Sequence, residues 1–370
     1  MFVFTCAGCG TELTAALSEV ALPVHAHQKF GNGLQLPVLM EPGTFAVEPE
    51  PWGPPWRRWA ELDPDEAESR GIYAPVWGLS DGAPGAIVTA PGDTRNTVLI
   101  PDRRGGACCG MDGGDGPNMA CAACGLPVAT RIDDCSLWQA VWLAPDAVHQ
   151  RPVDTADDAA MSWAELMAEG KRTPPFEPIT NSWGGSRLGS DRCWKWSPLW
   201  EAAAGRALAH LLAASEGRRV TVPNGLVGEV FQRALDALLP DRLPTRPALL
   251  AGPGWPDSDM SVDILLVPVH PHTGRPWVPA RSAASAYLVP LPFGVWLGLA
   301  FPEQHLPEPA SGHLPGDVLR DDPPAPRASQ LFCADSGTFE HTLVRLPAIR
   351  SPWLREILEN LTQHMRARLF

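Results

Sequence analysis

Apolar residues in the second half of the chain follow helical spacing in three stretches. The stretches begin at Ser197, after Asn224 and at Ser351, and in each of them apolar residues recur every three or four positions. This spacing predicts three helices that each bury one face. Residues 260–269 are almost continuously apolar, which is typical of a strand covered on both sides.

Two more apolar runs lie in the same half. Residues 286–301 predict one or two buried strands, and residues 342–346 predict another. Helices that alternate with buried strands favour an α/β arrangement for residues 197–370.

The first half of the chain carries shorter apolar runs separated by Gly, Pro and Asp. Residues 72–79, 86–90 and 97–100 predict strands. Trp138 and Trp142 lie four positions apart, with Leu143 next to them, and this spacing predicts a buried helical face.

The patterns together predict an α+β protein with two folded parts. A chain of 370 residues is long for one core, and the acidic, alanine-rich stretch around residues 154–158 marks a boundary. We expect a β-rich N-terminal domain at residues 1–150, an irregular linker at 151–196 and an α/β-like C-terminal domain at 197–370.

Charge narrows the choice of partners. The chain has 42 acidic and 29 basic residues, a net charge of −13, and no lysine or arginine before Lys29. Nucleic-acid binding depends on Lys and Arg against phosphates, so another protein is the favoured partner. Lysine is rare beside arginine, alanine, glycine and proline, a bias typical of bacterial genes rich in G and C.

The sequence also predicts the compartment. The most apolar run, 286–301, is interrupted by Pro290 and Pro292 and is shorter than the ~18–20 residues of a membrane-spanning helix. The first residues lack the basic and apolar regions of a secretion signal. The number of cysteines is nine, and this odd number favours free or metal-bound thiols over a set of disulfides. We therefore expect a cytoplasmic protein with reduced thiols, some of which bind metal.

Two Cys-x-x-Cys pairs, each followed at once by glycine, stand out among these cysteines. They are Cys6 and Cys9 with Gly10, and Cys121 and Cys124 with Gly125. One tight turn of this kind offers two thiolates, and zinc takes four of them tetrahedrally. A thioredoxin-type redox pair would begin a helix, and neither pair here precedes a helical pattern.

This pair of units resembles the four-cysteine zinc-ribbon family over the two knuckles and their flanking strands. The resemblance implies one structural Zn²⁺ held by Cys6, Cys9, Cys121 and Cys124. A long insertion between the knuckles departs from the compact ribbon. A closed four-thiolate site has no position for water or substrate, so we expect it to be structural rather than catalytic.

A glycine-rich loop at residues 101–118 contains Cys108 and Cys109. Its acidic residues do not match the spacing of an EF-hand calcium loop, and as an anion cradle it lacks the Lys-Ser/Thr of a P-loop. A structural lid over the zinc knuckle needs no further residues. A second or altered metal site that uses Cys108 or Cys109 stays open, with Cys135 as a spare thiolate.

Histidines offer a separate candidate site. Asp263 lies within the predicted buried strand at 260–269, and His270 and His272 follow it. Sites in open α/β sheets gather beyond the carboxyl ends of strands. Ordinary turn residues also explain this segment. His25 and His27 would lie on one side of a strand, where a polar strand edge is the simpler interpretation.

These observations favour a zinc-binding bacterial protein of the cytoplasm that acts through contact with another protein. No catalytic residue is assigned, so an enzyme is disfavoured. The alternative is a metal-assisted hydrolase or transferase that uses the His/Asp residues. A second alternative is a nucleic-acid-binding protein, which would need folding to gather distant arginines on one face.

Overall fold

The computed structural model describes residues 1–29, 36–106, 108–153, 160–178, 194–240, 244–255, 262–279, 286–302 and 331–367. Short strands dominate its first part, which contains one short helix, α1 (Pro64–Ser69), in the described residues. The strands of this part are β1 (Phe2–Cys6), β2 (Ser18–Glu19), β3 (Thr44–Val47), β4 (Trp56–Arg58), β5 (Gly78–Ser80), β6 (Ile87–Thr89), β7 (Thr97–Leu99), β8 (Met119–Cys121), β9 (Pro127–Ile132), β10 (Ala140–Leu143) and β11 (Val148–Pro152).

Longer helices alternate with strands in the second part. The elements there are α2 (Trp163–Glu169), β12 (Phe176–Pro178), β13 (Trp194–Trp196), α3 (Pro198–Ser215), β14 (Val220–Thr221), α4 (Leu226–Leu238), β15 (Arg246–Leu250), β16 (Ile264–Val269), β17 (Tyr287–Pro292), α5 (Phe293–Ala300), α6 (Ser336–Leu343) and α7 (Pro352–Ala367). Helices α3, α4 and α7 begin within two residues of the positions that the spacing predicts.

Seven described strands of the first part form a sheet in the order β2-β3-β6-β10-β9-β8-β7, and β4 pairs with β5 in a separate two-stranded sheet. The described pairs of the seven-stranded sheet are antiparallel, apart from β2 with β3. Both faces are buried, since Val141 and Phe45 pack in one apolar cluster while Trp142 and Val88 pack in another. Next to this sheet, β1 pairs with β11, so that Cys6 lies opposite Val148.

The second part is built on a parallel sheet in the order β14-β15-β16-β17. Trp200, Leu211 and Leu212 of α3 are fully buried in its core. Helix α6 packs on α3 at Gly205, where a Cβ atom would lie 2.4 Å from the carbonyl oxygen of Asp335. Parallel strands covered by helices agree with the α/β-like prediction, and the mixed architecture confirms the α+β fold class.

The two parts share contacts. Ile72, Ala74 and Leu79 belong to the first part by sequence, yet they are buried in the same cluster as Trp200. The exact domain limits therefore stay a prediction, and the boundary stretch 154–158 lies outside the described residues.

Four predicted elements differ from the structure. The strand predicted at 72–79 is largely irregular, and strand structure begins only at Gly78 in β5. The helix proposed around Trp138 and Trp142 is wrong, because residues 140–143 form β10, paired on both sides. The run 286–301 forms a strand, β17, and then a helix, α5, instead of strands throughout. The strand predicted at 342–346 is the end of α6 and the turn after it.

Within the described ranges, none of the helices combines the length and the apolar character that crossing a bilayer requires.

Candidate metal centres

The two Cys-x-x-Cys turns repeat one local structure. Strand β1 ends at Cys6 and strand β8 ends at Cys121, and each cysteine begins the turn that carries its partner. In both turns the amide of the glycine after the second cysteine donates to the carbonyl of the first cysteine at 2.8 Å. Gly10 and Gly125 adopt φ of 76° and 77°, a region that favours glycine. The shared sequence therefore produces two equivalent knuckles.

Folding brings the two knuckles face to face. The Sγ atom of Cys6 lies 3.5 Å from that of Cys124, and the Sγ atom of Cys9 lies 3.6 Å from that of Cys121. All four Sγ atoms lie within 4.8 Å of one another. Four sulfur atoms around a zinc ion with ~2.3 Å bonds would be separated by about 3.8 Å. The spacing of the four sulfur atoms therefore fits a tetrahedral thiolate site.

The four-cysteine site lies at the boundary between the core and the surface. Cys6 and Cys121 are buried, whereas Cys9 and Cys124 are exposed. The buried pair belongs to the apolar cluster that contains Phe4. An ion held by these four residues would link this core to the surface turns.

Neighbouring groups shift the pKa values of Cys9 and Cys124 in opposite directions. The side chain and the backbone of Thr11 lower the pKa of Cys9 to about 6. The amide of Leu126 lowers the pKa of Cys124, but hydrogen bonds with Cys6 and Cys9 and burial outweigh it and raise the pKa to about 12. Ionisation of one thiol thus opposes ionisation of the next. A divalent cation would remove this repulsion, so the donor set suits a metal.

A second cluster lies in and beside the glycine-rich loop. It consists of Cys108, Cys109, Asp134 and Cys135, whose ligand atoms also lie within 4.8 Å of one another. Cys108 and Cys109 are exposed, and Asp134 and Cys135 are buried. The sequence analysis names the three cysteines but not Asp134. Its position directly before Cys135 is the only hint of this residue in the sequence, and it does not indicate the role.

The Asp134 carboxylate organises this second cluster. Oδ1 accepts hydrogen bonds from the amides of Cys109 (2.7 Å), Gly110 (3.1 Å) and Cys135 (2.8 Å), and Oδ2 accepts one from Cys108 (3.0 Å). Burial raises the pKa of Asp134, but these amides outweigh it and lower the pKa to about 2. The carboxylate is therefore an anion that fixes the backbone of the cysteine pair.

Two thiols of this cluster, those of Cys108 and Cys109, have raised pKa values. A hydrogen bond with Cys135, and the negative charge that Cys135 carries when it is ionised, raise the pKa of Cys108. The amide of Cys135 donates to Sγ of Cys109 at 3.2 Å and lowers the pKa of Cys109, yet burial and the neighbouring Cys135 and Asp134 raise it to about 11. As in the first cluster, the proximity of the sulfur atoms disfavours several thiolates together.

The glycine-rich loop is tied to the strand that precedes this cluster. Met111 and Asp133 exchange hydrogen bonds of 2.9 Å, between the Met111 amide and Asp133 Oδ1 and between the Asp133 amide and the Met111 carbonyl. Asn118 donates to and accepts from the backbone of Arg131. These contacts fix the loop against β9 and the residues after it, so the loop holds Cys108 and Cys109 beside Cys135.

The ring centroids of His270 and His272 lie 5.6 Å apart, but Asp263 does not join them. Nε2 of His270 lies 2.7 Å from the Met161 carbonyl, and Nδ1 accepts from the amides of His272 and Thr273. Asp263 precedes β16 and bonds to Arg246, whereas His270 follows the same strand, so the two residues lie at opposite ends. His270 is therefore held by its own turn and by Met161 and Trp163 at the start of α2.

The pair His25 and His27 lies in turns rather than on a strand. His25 is buried against Trp138, with ring centroids 4.4 Å apart, and His27 pairs with Glu48 at 2.5 Å. Both rings therefore have structural partners in the first part of the protein.

In the described part of the chain, the eight cysteines form no disulfide and the metal-binding geometry is confined to the two clusters. The first cluster contains the four predicted ligands, and the second had been left open by the sequence. Comparison with known proteins gives no match, whether with protein-family models, curated proteins or solved structures.

Proposed function

We propose that this chain is a cytoplasmic zinc-binding protein whose four-cysteine centre is structural, and that it acts by contact with another protein. The observation that carries the proposal is the convergence of Cys6, Cys9, Cys121 and Cys124 within 4.8 Å. Four protein thiolates complete the coordination of zinc, and so no position is left for a reacting molecule.

The surroundings of the four sulfur atoms support a structural role. Cys6 and Cys121 pack in one core cluster with Leu13, Phe45 and Val128. An ion at this place would join β1 to β8, which lie far apart in the chain. Structural zinc sites of this kind contribute folding free energy directly.

Exposed aromatic residues support contact with a protein. Trp56 on β4 and Trp77 just before β5 are 52% and 71% exposed, and their ring centroids lie 6.3 Å apart. Tryptophan is enriched in protein interfaces and at their energetic centres. The acidic balance of the chain disfavours nucleic acid as the alternative partner.

Metal analysis of single cysteine variants tests the zinc centre. We expect Cys6→Ser and Cys121→Ser each to lose one equivalent of zinc relative to the wild-type protein. Cys333→Ser is the matched control, because Cys333 is exposed and belongs to neither cluster. Undiminished zinc in both knuckle variants would refute the four-cysteine assignment.

The partner surface is tested by the double variant Trp56→Ala/Trp77→Ala. Affinity purification with the wild-type chain should retain a partner protein, and we expect the double variant not to retain it. A binding assay with the purified partner should confirm this loss. Val278→Ala is the control, since Val278 is also exposed, at 67%. Equal affinity of the double variant and the wild-type chain would exclude the tryptophan pair as the contact surface.

A further inference from the structure

We propose that Cys108, Cys109 and Cys135 form a second metal site of three thiolates, with a fourth coordination position open to solvent. This site is separate from the four-cysteine centre and does not depend on it. The suitable metal is a divalent ion that favours sulfur and tetrahedral geometry, of which zinc is the common biological example.

The first argument is that the three sulfur atoms are already assembled. The three Sγ atoms and a carboxylate oxygen of Asp134 lie within 4.8 Å of one another. Cys108 and Cys109 come from the glycine-rich loop, whereas Cys135 follows β9. The loop is held there by the paired hydrogen bonds of Met111 with Asp133. A site formed before the ion arrives costs little ordering entropy on binding.

The second argument concerns the role of Asp134. A carboxylate has about four lone-pair positions, and Asp134 accepts four backbone amide hydrogen bonds, from residues 108, 109, 110 and 135. Three of these bonds go to Oδ1 and one goes to Oδ2, so both oxygens are engaged by the backbone and a metal ion would compete with these amides. We infer that Asp134 is a positioning residue, which orients the amides and thereby the thiols, and that it is not the fourth ligand.

The third argument concerns access. Cys135 is buried, but Cys108 and Cys109 are exposed, so an ion bound by the three sulfur atoms would lie at the protein surface. Zinc sites with three protein ligands keep the remaining position for water or for a molecule that replaces it. The chemical class of ligand that suits this position is water, a small anion, an imidazole or a thiol.

The first experiment counts metal ions in protein purified under a non-thiol reductant. We expect two equivalents per wild-type chain and one in Cys109→Ser, with circular dichroism unchanged because Cys109 is exposed. Cys108→Ser is a second variant with the same expectation, and Cys333→Ser should keep two equivalents. One equivalent in the reduced wild-type protein would overturn the second site, and a Cys109–Cys135 or Cys108–Cys135 disulfide detected by mass would do the same.

The second experiment tests the open position with cobalt as the probe. The difference between the Co²⁺ spectra of wild-type protein and Cys109→Ser isolates the second site. We expect added imidazole to shift the visible bands of this difference spectrum, and to leave the spectrum of Cys109→Ser unchanged. Bands that do not respond to imidazole would show a closed site and overturn the open position.

The role of Asp134 is tested by Asp134→Asn. Loss of a positioning contact of this kind weakens metal binding by about 10–100-fold. We expect this loss at the second site alone, measured by chelator competition, with the affinity of the four-cysteine centre unchanged. Equal weakening at both sites would indicate a merely structural role and overturn the assignment of Asp134.

Discussion

Removal of the first knuckle is the sharpest test of the structural zinc centre. The double variant Cys6→Ser/Cys9→Ser leaves Cys121 and Cys124 with no partners across the site. We expect the first part of the protein to lose its tertiary structure, because the ion can then no longer join β1 to β8.

The magnitude follows from the distance between the knuckles in the chain. Cys9 and Cys121 are separated by 112 residues. An unfolded chain must close this loop before both knuckles can share an ion, and the chain-entropy expression for such a closure gives about 5 kcal/mol. The ion therefore favours the folded over the unfolded chain by about this amount, which is comparable to the whole stability of a small domain.

Hydrogen exchange localises the effect. The amides of β1 and β11, which pair from Phe2 with Pro152 to Cys6 with Val148, report on the region next to the knuckle. We expect their exchange to accelerate by about 10³–10⁴-fold in the double variant, corresponding to the loss of about 5 kcal/mol. Amides of α3 should change much less.

The control is Cys108→Ser/Cys109→Ser, which also removes two neighbouring thiols but leaves both knuckles intact. Exchange in β1 and β11 should stay at the wild-type rate in this control. Wild-type exchange and stability in Cys6→Ser/Cys9→Ser itself would refute the reasoning, since the knuckles would then not be joined by an ion that supports the fold.

Three further predictions concern packing and charge. Burial lowers the pKa of His25 to about 4, below its value of about 6.5 in the unfolded chain. The free energy of unfolding should therefore fall by up to about 3 kcal/mol as the pH drops from 6.5 to 4. Urea denaturation at several pH values should show that His25→Phe lacks most of this pH dependence. Gly205→Ala should lower the free energy of unfolding by about 1–3 kcal/mol, because the added Cβ atom would clash with the carbonyl oxygen of Asp335. An unchanged midpoint of urea denaturation would contradict this. A double-mutant cycle for Arg345 and Glu50 should give an interaction free energy of about 1 kcal/mol at most.

The fold class and the three main helices were predictable because their signals are local. A helix with one apolar face, such as α4, can be identified from neighbouring residues alone. The error at β10 has a physical cause. All four residues of β10 are buried, since the sheet is covered on both faces, and the strand therefore lacks the alternation that identifies a half-buried strand. Two tryptophans four positions apart fit either period.

Helix α5 was missed for a related reason. Six of its eight residues are buried, so it shows no polar face, and it follows β17 without a turn between them. Periodicity cannot separate such a helix from a buried strand. The strand predicted at 342–346 overlooked the cap at Asp335, whose carboxylate accepts from the amide of Thr338 at 2.7 Å.

The two candidate metal sites also differ in how far they could be predicted from local sequence. Each knuckle is a local motif, so its two cysteines could be predicted, and the repetition of the motif suggested that the two knuckles meet. The second cluster joins a loop to a residue pair about 25 positions later through the amide contacts of Asp134. A carboxylate that binds four backbone amides leaves no periodic trace in the sequence, so only the folded chain shows its role.

The distance between the knuckles along the chain also determines the order of events during synthesis. At about 5–20 residues per second, the ribosome makes the 112 residues between Cys9 and Cys121 in roughly 6–22 s. Through that interval the first two thiols have no second pair with which to share an ion, and β1 waits still longer for β11. The nascent chain is therefore open to oxidation and to mispairing until its second knuckle emerges.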